Sequence, residues 1–107
     1  MREYHHLGIP TEMKLENEIY LEDFKVYVSR YNDSPYGIEW MRYEPDCLLP
    51  ELVKTVTHVA FKVDNMDEEL EGKDVLIKPN SPSAGVTVAF IIDNGAPVEF
   101  LQFDTEG

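Results

Sequence analysis

The sequence contains a single cysteine, Cys47, among 107 residues. One cysteine cannot form an intrachain disulfide, so a disulfide-stabilised scaffold is excluded, and a lone thiol fits a reducing compartment. Basic residues are also scarce, because nine lysines and arginines stand against 21 acidic residues, for a net charge of −12. Nucleic acids and anionic membranes attract basic surfaces, so neither is expected as a partner.

Long apolar runs are absent as well. No stretch approaches the roughly 20 residues of a membrane-spanning helix, and the first ten residues lack the apolar core of a signal peptide. The predicted location is therefore the cytoplasm. With 107 residues, 43% of them hydrophobic, the chain is expected to fold as one domain over residues 1–107.

Alternating apolar and polar residues predict a fold made mostly of strands. The predicted strands cover residues 3–10, 24–31, 36–44, 54–63, 74–79, 86–93 and 97–103, with hairpins at 24–44 and 86–103. A short helix is predicted over 64–72, because Asn65 can cap it, Glu68 follows three residues later and Gly72 can end it. Three segments remain between these elements. Residues 12–22 are predicted to form a short helix or an irregular loop, residues 45–53 a connector, and residues 80–85 a loop.

The chain contains two similar halves. Residues 6–13, HLGIPTEM, resemble residues 58–66, HVAFKVDNM, because each segment begins with histidine and has a small residue two positions later. Residues 38–44, IEWMRYE, resemble residues 98–104, VEFLQFD, since both place a glutamate between a β-branched and an aromatic residue. The histidine and the glutamate are 33 residues apart in the first half and 41 apart in the second. The shorter first half predicts a trimmed helix or a lost strand.

The repeated histidine and glutamate predict a metal site. Neighbouring strands of a sheet lie about 4.8 Å apart, so the two side chains of each half can point from one face. Two such halves placed face to face would bring two imidazoles and two carboxylates to one point, a ligand set suited to first-row divalent ions. Each residue alone is more often an ordinary core or surface residue. The joint pattern selects four predicted ligands: His6, Glu39, His58 and Glu99.

Residues two and four positions after each glutamate share its face of the strand. They are predicted to wall a mostly apolar cleft of the kind that binds small molecules: Met41, Tyr43, Leu101 and Phe103. His5 has the opposite parity to His6. It is therefore expected to pack or to make a surface hydrogen bond, not to bind the ion.

The strands HHLGIP and THVAFKV, with GIEWMRYEP and APVEFLQF closing the two halves, resemble the vicinal oxygen chelate superfamily. This superfamily includes glyoxalases, bleomycin-resistance proteins and extradiol dioxygenases, and the resemblance covers nearly the whole chain. It implies an α+β fold of paired βαβββ modules in a curved mixed sheet, with module one at 1–46 and module two at 54–104. It also implies metal ligands on the first and last strand of each module. The shortened first module departs from the family pattern.

Within that superfamily, a set of four ligands resembles glyoxalase I and acyl-CoA epimerases such as methylmalonyl-CoA epimerase. The resemblance implies a lyase or isomerase that acts through an enediolate on a small α-hydroxycarbonyl or acyl thioester. A zinc, nickel, cobalt or manganese ion would act as Lewis acid, and Glu99, or else Glu39, would move the proton.

Two alternatives stay open. One is a non-catalytic protein that binds a drug or a small aromatic ligand, as bleomycin-resistance proteins do. The other is a redox enzyme of the dioxygenase type, which would leave Glu39 unexplained. A homodimer is expected in either case, because a shortened half leaves part of a sheet face or edge uncovered.

Overall fold

A computed structural model describes residues 2–104. These residues contain eight strands, two short α-helices and one 3₁₀-helix, and the strands pair in both parallel and antiparallel directions. The fold is therefore of the predicted α+β class with mixed strand pairing. None of the helices in this range is long and apolar enough to cross a membrane. The chain divides into a first unit, His6–His58, and a second unit made of residues 2–5 and 59–104.

Four strands form the sheet of the first unit: β1 (Glu3–Pro10), β2 (Ile19–Leu21), β3 (Val26–Val28) and β4 (Ile38–Tyr43). They are hydrogen-bonded in the order β2-β3-β4-β1. Strands β1 and β4 are parallel, whereas β4 with β3 and β3 with β2 are antiparallel. A 3₁₀-helix, Tyr31–Asp33, joins β3 to β4, and helix α1 (Glu51–Thr55) follows β4.

The first unit differs from the predicted elements between β1 and β4. The strand predicted over 24–31 is regular only at Val26–Val28, because Lys25 has a positive φ of 53° and Tyr31–Asp33 form the 3₁₀-helix. No helix forms at 12–22, where the three-residue strand β2 lies instead. Between β1 and β4, the first unit therefore contains two strands and a 3₁₀-helix but no α-helix.

Helix α1 also differs from prediction, because its residues were assigned to the connector and to the start of a strand. Glu51 lies in the first turn, Lys54 lies in the last, and both placements complement the helix dipole. Val53 is buried, so the helix has an anchored apolar side. A five-residue helix shows too little periodicity to be read from sequence alone.

The second unit contains β5 (His58–Lys62), α2 (Met66–Leu70), β6 (Asp74–Ser83), β7 (Val86–Asp93) and β8 (Ala96–Phe103). His58, the first residue of β5, is also the last residue of the first unit. The strand order is β5-β8-β7-β6, with β5 and β8 parallel and the other pairs antiparallel. In both units, therefore, the first strand lies beside the fourth, followed by the third and the second.

Helix α2 forms where its cap predicted it. The Asn65 side chain accepts a hydrogen bond from the Glu68 backbone N–H at 3.2 Å, and Gly72 follows with a positive φ of 72°. The buried residues around the helix form one cluster: Val63, Met66, Ala89, Ile91 and Phe100. The other side of the same strands carries a second buried cluster: Ala60, Val86, Val88 and Leu101.

The two antiparallel connections of the second unit confirm one prediction and correct another. Asn94 and Gly95 have φ of 49° and 83°, as the tight β7–β8 hairpin requires. Residues 80–83, predicted as a loop, instead continue β6 through several register shifts. Such irregularities let Pro79 and Pro82 lie in a strand whose other edge is free in this unit.

Candidate metal centre

The parallel pair β1–β4 holds a histidine and a glutamate in a defined register. Gly8 lies directly opposite Glu39, and His6 precedes Gly8 by two residues. Side chains alternate along a strand, and opposed residues share a face of the sheet. His6 and Glu39 therefore project from the same face of this pair.

The same register recurs in the parallel pair β5–β8. Ala60 lies opposite Glu99, and His58 precedes Ala60 by two residues. Each glutamate thus faces a small residue that follows a histidine by two positions. The repeat seen in the sequence is therefore present in the strand pairing itself.

His6 contacts three side chains of the first unit. Its Nε2 atom lies 3.3 Å from Oε1 of Glu39. Its ring stacks on Tyr31, with centroids 5.6 Å apart and planes 25° apart, and meets the ring of His58 edge-on, with centroids 5.6 Å and planes 81° apart. Both histidines are buried, and the Glu39 side chain is only 17% exposed. Within the first unit, His6 therefore has one carboxylate and one further imidazole as neighbours.

The spacing between His6 and Glu39 suits two ligands of one ion. At 3.3 Å, the Nε2–Oε1 distance is longer than the common N–H···O hydrogen bond of about 2.9–3.0 Å. Two atoms that each lie about 2.1 Å from one ion are about 3.0 Å apart at a right angle and about 3.4 Å apart at the tetrahedral angle. The pair would accept an ion with little rearrangement.

Gly8 makes room for the imidazole of His58. A Cβ atom at position 8 would lie 2.2 Å from Cε1 and 2.6 Å from Nε2 of that ring, far inside van der Waals contact. The His58 ring therefore packs directly against the backbone of residue 8, where only glycine leaves enough room for it. The small residue at position 8 is visible in the sequence, but its partner 50 positions away is not.

Glu99 lies in the middle of β8 in the second unit. It is buried, opposite Ala60 on one side and Phe90 on the other. A carboxylate removed from water needs hydrogen bonds, an opposite charge or a metal ion to offset its lost hydration. Glu99 is thus chemically suited to the ligand role that the sequence predicts for it.

Met41 and Tyr43 lie on the same side of β4 as Glu39, as predicted. Met41 is opposite Val28, Tyr43 is opposite Val26, and both valines are buried. The Tyr43 hydroxyl donates to the Met41 sulfur at 3.4 Å. This side of the first unit is therefore apolar beside the glutamate.

The two predicted cleft residues of the second unit, Leu101 and Phe103, differ in burial. Leu101 is buried opposite Val88, within the second apolar cluster. Phe103 lies near the strand end, is 39% exposed, and contacts the ring of His5 with centroids 5.7 Å apart. His5 therefore packs against an aromatic ring, one of the two roles expected for it.

The opposite face of β4 carries a cluster that takes no part in this centre. The Arg42 guanidinium donates to Oε1 of Glu18 at 2.5 Å and lies 4.1 Å from the ring centroid of Tyr27. The rings of Tyr20 and Tyr27 pack with centroids 4.5 Å apart and planes tilted by 37°. A hydrogen bond to Glu44 raises the pKa of Tyr20 to about 12.

No protein-family model matches the chain, and no curated protein does either. Solved structures do match it. One is a hypothetical protein, BH1468, from Bacillus halodurans C-125, with a TM-score of 0.70, 16% sequence identity, and coverage of 99% of this chain and 97% of that one. At this level of identity the likeness establishes a shared fold.

Proposed function

We propose that this protein is a metal-dependent lyase or isomerase of the glyoxalase type. Its divalent ion would be held by four residues: His6, Glu39, His58 and Glu99. The observation that carries the proposal is that the buried His6 contacts both the Glu39 carboxylate and the imidazole of the buried His58 in the first unit. The repeated register of β5 and β8 supports Glu99 as the fourth ligand, and His6, His58 and Glu99 have the residue types and burial of metal ligands.

The proposal includes a relationship to the vicinal oxygen chelate superfamily through paired βαβββ modules. The element order β5-α2-β6-β7-β8 and the strand order shared by the two units support it. The first module would be a reduced version, because no helix lies between β1 and β2.

A bound divalent ion would supply Lewis-acid polarisation of the oxygens of an α-hydroxycarbonyl or acyl thioester. Glu99 would act as general base, taking the proton from the α-carbon. It would return the proton to the neighbouring carbon of an α-hydroxycarbonyl, or to the opposite face of the same carbon of an acyl thioester. The burial of Glu99 would keep competing water away from the reacting carbon. Glu39 is the second candidate for this role, because it also lies beside the proposed ion, 3.3 Å from Nε2 of His6.

Metal analysis tests the proposal most directly. Purified protein should contain about one zinc, nickel, cobalt or manganese ion per chain. His6→Ala and His58→Ala should each weaken binding by more than the 10- to 100-fold typical of losing an outer supporting contact. His5→Ala is the matched control and should bind as the wild type does, since His5 packs against Phe103. Equal losses in His5→Ala and His6→Ala would contradict the proposal.

A second candidate function is a non-catalytic protein that binds a small aromatic or drug-like molecule. The apolar side of the first unit, with Val26, Val28 and Met41 beside Glu39, favours it. This candidate predicts that an aromatic ligand binds equally well to metal-free and metal-loaded protein. The lyase or isomerase predicts that substrate binding requires the ion.

We also propose that the protein acts in the cytoplasm as a homodimer on a small-molecule substrate. The buried free thiol of Cys47 supports the reducing location. Trp40 is 38% exposed, and an exposed tryptophan in the first unit supports the dimer.

A further inference from the structure

The ring of Tyr31 covers one face of the His6 imidazole. The two rings stack with centroids 5.6 Å apart and planes 25° apart, and both residues belong to the first unit. His6 is 4% exposed and Tyr31 is 37% exposed, so Tyr31 has one side against the imidazole and another that reaches solvent. Tyr31 thus contacts the face of the imidazole, whereas Glu39 lies beside its Nε2 atom.

The segment that carries Tyr31 is hydrogen-bonded to both strands of the site. Before Tyr31, the Ser29 N–H donates to the Trp40 carbonyl of β4 at 3.0 Å, and the Ser29 hydroxyl accepts from the Trp40 N–H at 2.8 Å. After Tyr31, the Gly37 carbonyl accepts from the N–H of Leu7 in β1 at 2.9 Å. Leu7 and Trp40 directly follow the histidine and the glutamate of the site in the sequence. The position of the Tyr31 ring is therefore coupled to the backbone that carries both.

The same segment is also hydrogen-bonded internally. The Ser34 N–H donates to the Tyr31 carbonyl at 3.3 Å, and the Gly37 N–H donates to the Ser34 carbonyl at 3.2 Å. The Ser34 hydroxyl accepts from the Tyr36 N–H at 3.1 Å. Because these bonds restrict the backbone, Tyr31 is suited to fix the orientation of a neighbouring side chain.

A histidine ligand must present its nitrogen to the ion in a defined direction. The torsion about the Cβ–Cγ bond of histidine has broad energy minima, and rotation about it would carry Nε2 of His6 away from Oε1 of Glu39. A ring stacked on the face of the imidazole opposes this rotation, because the edge of the imidazole would run into it. Tyr31 is placed to provide this restraint.

We propose that Tyr31 is a positioning residue that holds the plane of the His6 imidazole, so that Nε2 of His6 and Oε1 of Glu39 are directed at the same ion. This inference rests on the proposed metal site. Tyr31 acts through the face of its ring, and its hydroxyl is not needed. Position 31 therefore requires a planar ring, whatever the polarity of that ring.

Calorimetric zinc titrations of three variants test the proposal. Tyr31→Phe keeps the ring face and should bind zinc as the wild type does, whereas Tyr31→Leu removes the planar ring and should weaken binding about tenfold or more. Tyr36→Leu is the matched control and should retain wild-type affinity, because Tyr36 lies in the same segment and is 73% exposed. Wild-type affinity in Tyr31→Leu would overturn the proposal. An equal loss in Tyr31→Phe would also overturn it, because the hydroxyl would then carry the effect.

The absorption spectrum of the cobalt-loaded protein distinguishes positioning from a general loss of stability. The d–d bands of cobalt depend on the arrangement of its ligands, so Tyr31→Leu should change them and Tyr31→Phe should not. Wild-type bands in Tyr31→Leu would show that the role of Tyr31 is merely structural.

Failure of the proposed function is recognised separately. If the wild type binds neither zinc nor cobalt, the proposed metal site is wrong. NMR relaxation of the His6 ring in metal-free protein then decides the role of Tyr31. The order parameter of that ring should fall in Tyr31→Leu and be retained in Tyr31→Phe, and equal values in the wild type and Tyr31→Leu would overturn the inference.

Discussion

Replacing Gly8 by alanine should displace the imidazole of His58. The new methyl group would lie 2.2 Å from Cε1 of the ring, whereas ordinary contact begins at 3.4 Å. One of the two groups must therefore move by about 1.2 Å, the difference between these distances. His58 is only 1% exposed, so its ring has no free space to move into without disturbing its neighbours.

A shift of this size is large for a metal ligand. Ligand distances in metal sites normally stay within about 0.2 Å of their ideal values, so we expect zinc affinity to fall at least about 100-fold. Overpacking should also cost about 1–3 kcal/mol of stability. In a domain of this size, each kcal/mol lowers Tm by roughly 4–8 °C.

Calorimetric zinc titration and thermal unfolding of the metal-free protein separate these two effects. Gly85→Ala is the control, because Gly85 has a positive φ of 83° and nothing within 4 Å of an added Cβ. It should lower Tm through backbone strain and leave zinc affinity unchanged. Wild-type zinc affinity in Gly8→Ala, in a protein that remains folded, would refute the assignment of His58 as a ligand positioned by Gly8.

Three further predictions concern the rest of the molecule. Asn65→Ala should destabilise the protein by about 1 kcal/mol in thermal unfolding, because the Glu68 backbone N–H loses its cap; no loss would show that α2 does not depend on it. Tyr20 should ionise at a pKa of about 12 in an ultraviolet absorbance titration, and Glu44→Gln should bring this pKa back towards 10. Since the folded-state pKa is the higher one, the stability that Tyr20 contributes is present below pH 10 and is lost as the pH rises towards 12. Sedimentation velocity at tens of micromolar should show a dimer that Trp40→Glu weakens, and a wild-type monomer would rule the dimer out.

Short sequence motifs predicted helix α2 and the β7–β8 hairpin. Asn65 and Glu68 identified α2, and the turn at Asn94 and Gly95 identified the β7–β8 hairpin, because caps and tight turns are set by a few adjacent residues. Helix α1 was missed because five residues show little periodicity. The extension of β6 was missed because its two prolines are typical of loops.

The repeat between the two halves predicted the four candidate ligands but not the residues around them. His6 and Glu39 were identified because His58 and Glu99 occupy matching positions, and the strand register then agrees with that alignment. Tyr31 has no counterpart in the repeat, and its contact with His6 spans 25 positions of sequence. A contact of that kind depends on how the 3₁₀-helix turns after β3, which no pattern in the sequence indicates.

The parallel pairing of first and fourth strands has a consequence for folding kinetics. Strands β3 and β4 are joined by a short loop. Paired residues of β1 and β4 are some 30 positions apart in the sequence. The β1–β4 contacts therefore have the larger entropic cost of loop closure. We therefore expect the β1–β4 pair, which carries His6 and Glu39, to form late in folding. An ion bound there would stabilise the native state with little effect on the folding transition state. It would therefore slow unfolding strongly while leaving the folding rate nearly unchanged.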